Sequence, residues 1–194
     1  MRNQFNKIAG SVLAAAYLAG VAVAQAPPPP GAPPASTDIV VAHPTYVSIP
    51  LEIAVNRPAA EVWKRVGKYC DIGEWLQIAC TITSGKDGEF GAVRSVGGEV
   101  LVGKTELSYT YTQTVRAGRP YNLYHGTLEA RPVTATTSKL VYTLVFDNSM
   151  LADDAARERD IMQKSTTFMR ALENMKILAE GGTLPPPQNK GGKK

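Results

Sequence analysis

The sequence predicts an α+β domain in which a curved antiparallel sheet wraps around a long C-terminal helix. Three observations predict it. A polar–apolar alternating segment, residues 46–55, precedes a short helical stretch. From about Ile78 the apolar period becomes two and persists through six further strand-like segments joined by Gly-containing turns. From Leu151 to Leu178 there is neither Gly nor Pro, and apolar residues recur at helical spacing. A sheet and a helix, each apolar on one side, bury those sides against one another.

YVSIPLEIAV, 46–55, alternates as a half-buried strand. In NRPAAEVWKRVGKY, Pro58 sits where a missing N–H costs nothing and Glu61 suits a helix start, while Val62, Trp63 and Val66 mark the apolar side. A short helical turn is expected around Asp71–Leu76. ACTIT, AVRSV, EVLVGKTELSYTYTQTV, YNLYHGTLEARPV and ATTSKLVYTLVFD then give strands in a meander, with turns at GKDGEFG, Gly97-Gly98 and AGRP. Asp153 and Asp154 suit the positive end of the last helix. On that helix Ile161, Ser165, Phe168, Leu172, Met175 and Ala179 are expected on one face, widened by Met162, Met169 and Lys176. Arg157, Asp160, Lys164 and Glu180 are expected on the opposite one. Gly181-Gly182 stop it.

The two ends lie outside this domain. Residues 1–24 carry Arg2 and Lys7, an apolar run from Ile8 to Val23, and Ala22-x-Ala24: the layout of a signal peptide cleaved after Ala24. The run is short and Ala-rich for a transmembrane anchor, which is the competing reading. Residues 25–45 form a Pro-rich linker and lead-in. Residues 181–194 are expected to be a disordered basic tail. These features predict a periplasmic protein, or one released from the cell, with no transmembrane segment in the mature chain. The chain carries +4 overall, but five of its basic residues lie in the leader and tail, so the remainder is about −1. That excludes a basic nucleic-acid face and leaves a transient contact of the tail with anionic lipid as the one membrane expectation.

Cys70 and Cys80 are the two cysteines. An even number in an exported chain favours a disulfide, with two buried thiols as the alternative. No Gly-rich phosphate loop, G-x-S-x-G turn or HExxH is present. With His43 and His125 far apart, no metal site and no cofactor are expected.

Several stretches resemble a known superfamily: IAVNRPAAEVWKRVGKY with Trp75 after it, FGAVRSVGG with Arg94, TELSYTYTQ, and TSKLVYTLVFD before the last helix. Over residues 46–180 the chain resembles the START-like (SRPBCC) superfamily, which includes the birch-pollen allergens and the bacterial polyketide cyclase/dehydrase and lipid-transport group. The resemblance implies a helix-grip fold with an apolar cavity between sheet and last helix. It implies binding of lipids, sterol-like compounds or aromatics, with catalysis in some members.

Candidate ligand-binding residues are assigned from that cavity. Met162, Phe168, Met169, Leu172 and Met175 are placed toward it from the helix, and Trp75 near its mouth. Arg94 either anchors an acidic ligand group or pairs with Glu99 or Glu106 on the outer face. Tyr109 and Tyr111 supply hydroxyls; Tyr142 shares a face with Leu140, Leu144 and Phe146. Strand alternation puts Tyr124 and His125 on opposite faces without saying which is inward, and an inward His125 is a candidate general base. The leading functional expectation is an exported carrier of a small apolar or aromatic molecule. The alternatives are a cofactor-free cyclase or lyase acting in the same cavity, and a structural or interaction module with a filled core.

Overall fold

The structure, a computed structural model, describes residues 43–115 and 121–187. The expected leader, most of the linker and the last seven residues of the tail lie outside them. The elements are β1 (Tyr46–Val55), α1 (Ala59–Val66), α2 (Ile72–Trp75), β2 (Ile82–Ser84), β3 (Val93–Arg94), β4 (Glu99–Lys104), β5 (Ser108–Gln113), β6 (Tyr124–Pro132), β7 (Ser138–Asp147) and α3 (Asp154–Ala179).

The strands form one antiparallel sheet in the order β1-β7-β6-β5-β4-β3-β2. The meander runs from β2 to β7, and β1 closes the far edge against β7 in unbroken register from Tyr46–Asp147 to Val55–Ser138. Thus the first strand pairs with the last, and local sequence contains no trace of this pairing. Register shifts between Ile82 and Ser84 and between Leu101 and Gly103 are irregularities of the kind that bend strands. The sheet curves around α3. Pro50 stands on the edge strand, the position where a residue without an N–H leaves the ladder intact.

The concave face carries Tyr109, Tyr111, Tyr124, Leu128, Leu140, Tyr142, Leu144 and Phe146, all buried. The C-terminal half of α3 answers with Ala171, Leu172, Met175 and Leu178. α1 adds Val62 and Val66, and α2 adds Ile72 and Trp75. α3 starts at Asp154 rather than Leu151 because Asp153 is its cap, its carboxylate accepting the Ala156 N–H at 2.6 Å. Cys70 and Cys80 are bonded, with Cα atoms 5.6 Å apart, tying the end of α1 to the lead into β2.

Expectations about α3 and about the segment after it are corrected. At about 100° per residue, Asp160, Lys164, Phe168, Leu172 and Met175 form one stripe, and it is the stripe that faces the sheet. Asp160 and Lys164 are accordingly 16% and 13% exposed, packed inward rather than on the opposite face. Met162 falls on the far side of the helix and is 67% exposed, so it does not face the interior. Residues 181–187 are not free of the domain: Leu184 packs against the core, and the Gln77 amide donates to the Pro185 carbonyl at 2.6 Å. No helix among the described residues is long and apolar enough to cross a membrane.

Candidate functional site

The interior is organised around Arg94. It sits on a two-residue strand directly opposite Glu99 of β4, and both side chains turn inward. The Arg94 guanidinium contacts the Glu99 carboxylate at 2.6 Å and donates to the Tyr69 carbonyl at 2.6 Å. It donates to the Tyr109 hydroxyl at 3.4 Å. The Tyr69 and Tyr111 rings lie 4.3 Å and 4.7 Å from its central carbon. Gln113 donates to the other Glu99 oxygen at 3.1 Å. Arg94 therefore does pair with Glu99, but on the inner face. Burial opposes its charge, yet Tyr109, Glu99 and Tyr142 outweigh burial, and its pKa is raised.

A column of aromatic rings continues from this pair. Tyr69 and Trp63 pack on Tyr109, with centroids 5.4 Å and 5.7 Å away. Tyr111 and Tyr142 share a hydroxyl hydrogen bond of 2.9 Å. Phe168 covers Tyr142 at 4.6 Å, and Trp75 meets its edge at 6.3 Å. Tyr124 stacks on Phe146 and contacts Tyr121. Gly126 makes the column possible: a Cβ there would lie 2.3 Å from the Tyr111 ring, so only glycine lets Tyr111 lie across β6. Burial holds the Tyr109, Tyr111 and Tyr142 hydroxyls above the ordinary phenol range, so they are donors and acceptors but not bases near neutral pH.

The middle of the sheet–helix space is thus filled by side chains, and clefts lie at its margins. One of about 440 Å³ opens between the end of α1 and the β4–β5 hairpin. Trp63, Tyr69, Leu101 and Tyr109 form its apolar wall; Lys68, Lys104, Glu106 and Asp87 form its polar rim. The volume is inside the usual range for small-ligand sites, ~300–1,000 Å³. A second, of about 340 Å³, lies where Tyr121 and Tyr124 meet α3. A shallower groove of about 700 Å³ runs along the outer flank of α3, lined by Leu51, Met169 and Ile177.

The expected residues distribute accordingly. Trp75, Arg94, Tyr109, Tyr111, Tyr124, Tyr142 and Leu172 are buried in the interior, and Phe168 packs partly buried against Tyr142. Glu106 is exposed in the β4–β5 turn, at the cleft rim and not inside the sheet, because the strand has already ended there. His125 faces the convex side, since Tyr124 takes the inward position and side chains alternate. Burial lowers its pKa, and it is not an interior base. Met169 lines the outer groove. Sequence reading missed Tyr69, Lys68, Leu101 and Lys104 at the cleft, and Tyr121, Asp160 and Lys164 at the other end. The last two were legible in the four-residue spacing Asp160–Lys164–Phe168–Leu172.

A curved sheet gripping a C-terminal helix, with a polar–aromatic interior, defines a helix-grip protein. The family model described as polyketide cyclase/dehydrase and lipid transport matches residues 46–178. The chain belongs to that family. A solution structure of a Thermobifida fusca protein is similar at TM-score 0.57 and 23% identity, over 71% of this chain and 97% of that one. A Nitrosospira multiformis protein is similar at TM-score 0.51 and 21% identity, over 66% and 96% of the two chains. The ZhuI aromatase/cyclase of a Streptomyces species is similar at TM-score 0.51 and 16% identity, over 72% and 100%. At these identities the likeness is one of fold. A search of curated protein sequences gives no match.

Proposed function

We propose that this protein is an exported carrier of a small amphipathic or aromatic molecule, held in the cleft below Trp63. The observation that carries this reading is the pairing of an apolar wall (Trp63, Tyr69, Leu101, Tyr109) with a charged rim (Lys68, Lys104, Asp87, Glu106) in one cleft. An apolar body gains roughly 0.8 kcal/mol for each CH₂ buried on that wall. A polar head stays at the rim, where Lys68 and Lys104 offer donors and Asp87 and Glu106 offer acceptors. Behind the wall, Arg94, paired with Glu99, donates to the Tyr109 hydroxyl. A larger ligand would enter by rotating rings of the aromatic column. Membership of a family described by cyclase, dehydrase and lipid transport supports a ligand-handling role. The leader-like residues 1–24 and the Cys70–Cys80 bridge support export to the periplasm or beyond.

Native mass spectrometry of the protein purified gently from its exported fraction tests this. A stoichiometric amphipathic molecule, released on denaturation and lost in Leu101→Asp, is the expected result. A second reading, an interaction module with a filled core, is favoured by the closed packing of Trp75, Tyr111, Tyr142, Phe146 and Leu172. A protein that stays empty against a broad lipid and aromatic extract would support it instead. The cyclase or lyase alternative loses His125 as an interior base, because His125 is on the convex face, and keeps Glu106 at the cleft rim.

A further inference from the structure

β1 is an edge strand, and its outer edge is guarded unevenly. Residues of an antiparallel pair alternate between those bonded to the neighbour and those turned away from it. Asn148 donates to the Thr45 carbonyl, so the odd-numbered residues of β1 bond to β7. The even-numbered ones turn their N–H and C=O groups outward. In the second half of the strand that outer row is blunted. Pro50 has no N–H to offer. Glu52 carries a charge, paired with Lys139 at 2.6 Å. The Ala54 carbonyl accepts from Lys176 at 3.0 Å. Proline and charge are common means of keeping an edge from pairing. Among the described residues none of these devices covers Tyr46 or Ser48 in the first half.

The core face of the same strand is also incompletely covered. Val47 and Leu51 point to the core with Ile49 and Val55, yet both are only half-buried. The groove of about 700 Å³ begins here, between Leu51 and an α3 stripe of Thr166, Met169 and Glu173. Met162, 67% exposed, stands on that stripe one turn earlier.

The chain carries a segment that fits both. The backbone bends at His43, two residues before Thr45 joins the sheet. Directly before the bend stand Thr37-Asp38-Ile39-Val40-Val41-Ala42, which lie outside the described residues. Three consecutive β-branched apolar residues have high strand propensity, and the Pro-rich stretch before them does not.

We propose that residues 37–42 fold back within the same chain as an eighth strand on β1, covering its open half and the adjoining groove. A turn through residues 43–45 sets Ala42 opposite Tyr46, Val40 opposite Ser48 and Asp38 opposite Pro50. Ile39 and Val41 then lie on the core side, across from Ile49 and Val47, and Asp38 lies on the solvent side. The apolar run ends where Pro50 withdraws the next donor, so the segment and the open edge match in length. Pairing here also blocks edge-to-edge association of two copies. The inference is independent of the Trp63 cleft and of any ligand.

Amide hydrogen exchange of the purified protein, read by NMR, tests this. Val40, Ala42 and Ser48 donate across the new pairing, and their amides are expected to exchange at least about a hundredfold more slowly than in an unstructured chain. Ile39→Asp combined with Val41→Asp should return all three to the unstructured rate. Protection retained in β6 and β7 shows that this variant is folded. Val40→Thr, on the solvent side, should keep the protection. Fast exchange at any of the three amides in the parent protein would overturn the proposal. So would protection that survives the paired Asp substitutions. Protection lost on dilution, together with a halved mass, would assign the edge to a second copy and overturn it equally.

Discussion

Replacing Arg94 by Met is expected to remove more stability than any other single change in the sheet. The side chain is fully buried, so nothing compensates from solvent. The substitution deletes the 2.6 Å contact with Glu99, the 2.6 Å hydrogen bond to the Tyr69 carbonyl and the packing on two tyrosine rings. Breaking a buried pair by removing one partner costs about 3–5 kcal/mol, a large share of the ~5–15 kcal/mol that holds a domain together. With a urea dependence of ~2 kcal/mol per molar, the midpoint should fall by about 2 M. Urea denaturation followed by circular dichroism at pH 7 reads this directly. Arg94→Met with Glu99→Leu should cost less than the two single changes added, by about 1 kcal/mol or more, because the pair is then removed as a unit. A midpoint shift below about 0.5 M for Arg94→Met would refute the reasoning, since a buried, paired guanidinium cannot be lost so cheaply.

Other consequences are as direct. Gly126→Ala should destabilise by about 1–3 kcal/mol and change the near-ultraviolet dichroism, because the new methyl meets the Tyr111 ring at 2.3 Å; an unchanged melting temperature and spectrum would contradict it. Reducing the Cys70–Cys80 bridge, which spans a sequence separation of 10, should cost about 2–3 kcal/mol, read as a lower melting temperature with reductant. His125 has a lowered pKa in the fold, so the unfolded chain binds more protons between that value and about 6.5. Stability should therefore rise with pH across that window and fall on acidification through it, and His125→Gln should flatten that slope in melts from pH 5 to 7.5. Trp63 fluorescence should respond to an amphipathic ligand in the 440 Å³ cleft, and Trp75, fully buried elsewhere, should not; comparing Trp63→Phe with the parent separates the two signals.

The elements of this protein are written locally. Alternation in residues 46–55 and 138–147, turn glycines between the strands, and the Gly- and Pro-free stretch ending at Gly181-Gly182 are periodic features, and periodicity is a property of neighbours in sequence. The same features put Leu140, Tyr142, Leu144 and Phe146 on one face, and one buried side of a sheet results from that. The questions that sequence left open are those that two distant segments decide together. Whether Tyr124 or His125 points inward depends on which face of β6 meets α3. Whether Arg94 reaches a ligand or Glu99 depends on the register that sets β3 against β4. The pairing of β1 with β7 joins residues about ninety positions apart. Asp160 and Lys164 look like solvent residues because charge is read as exposure. Yet the angular stripe from Asp160 to Met175 puts them inward, where the Tyr121 hydroxyl donates to Asp160 and the Tyr121 and Phe146 rings pack against Lys164. Sequence by itself determined the elements and the polarity of their faces, because those depend on spacing along one strand or helix. Only the tertiary structure decided that the grip closes on an ion pair and a column of tyrosines, leaving clefts at its margins, because packing matches side-chain volumes between elements that lie far apart in the chain.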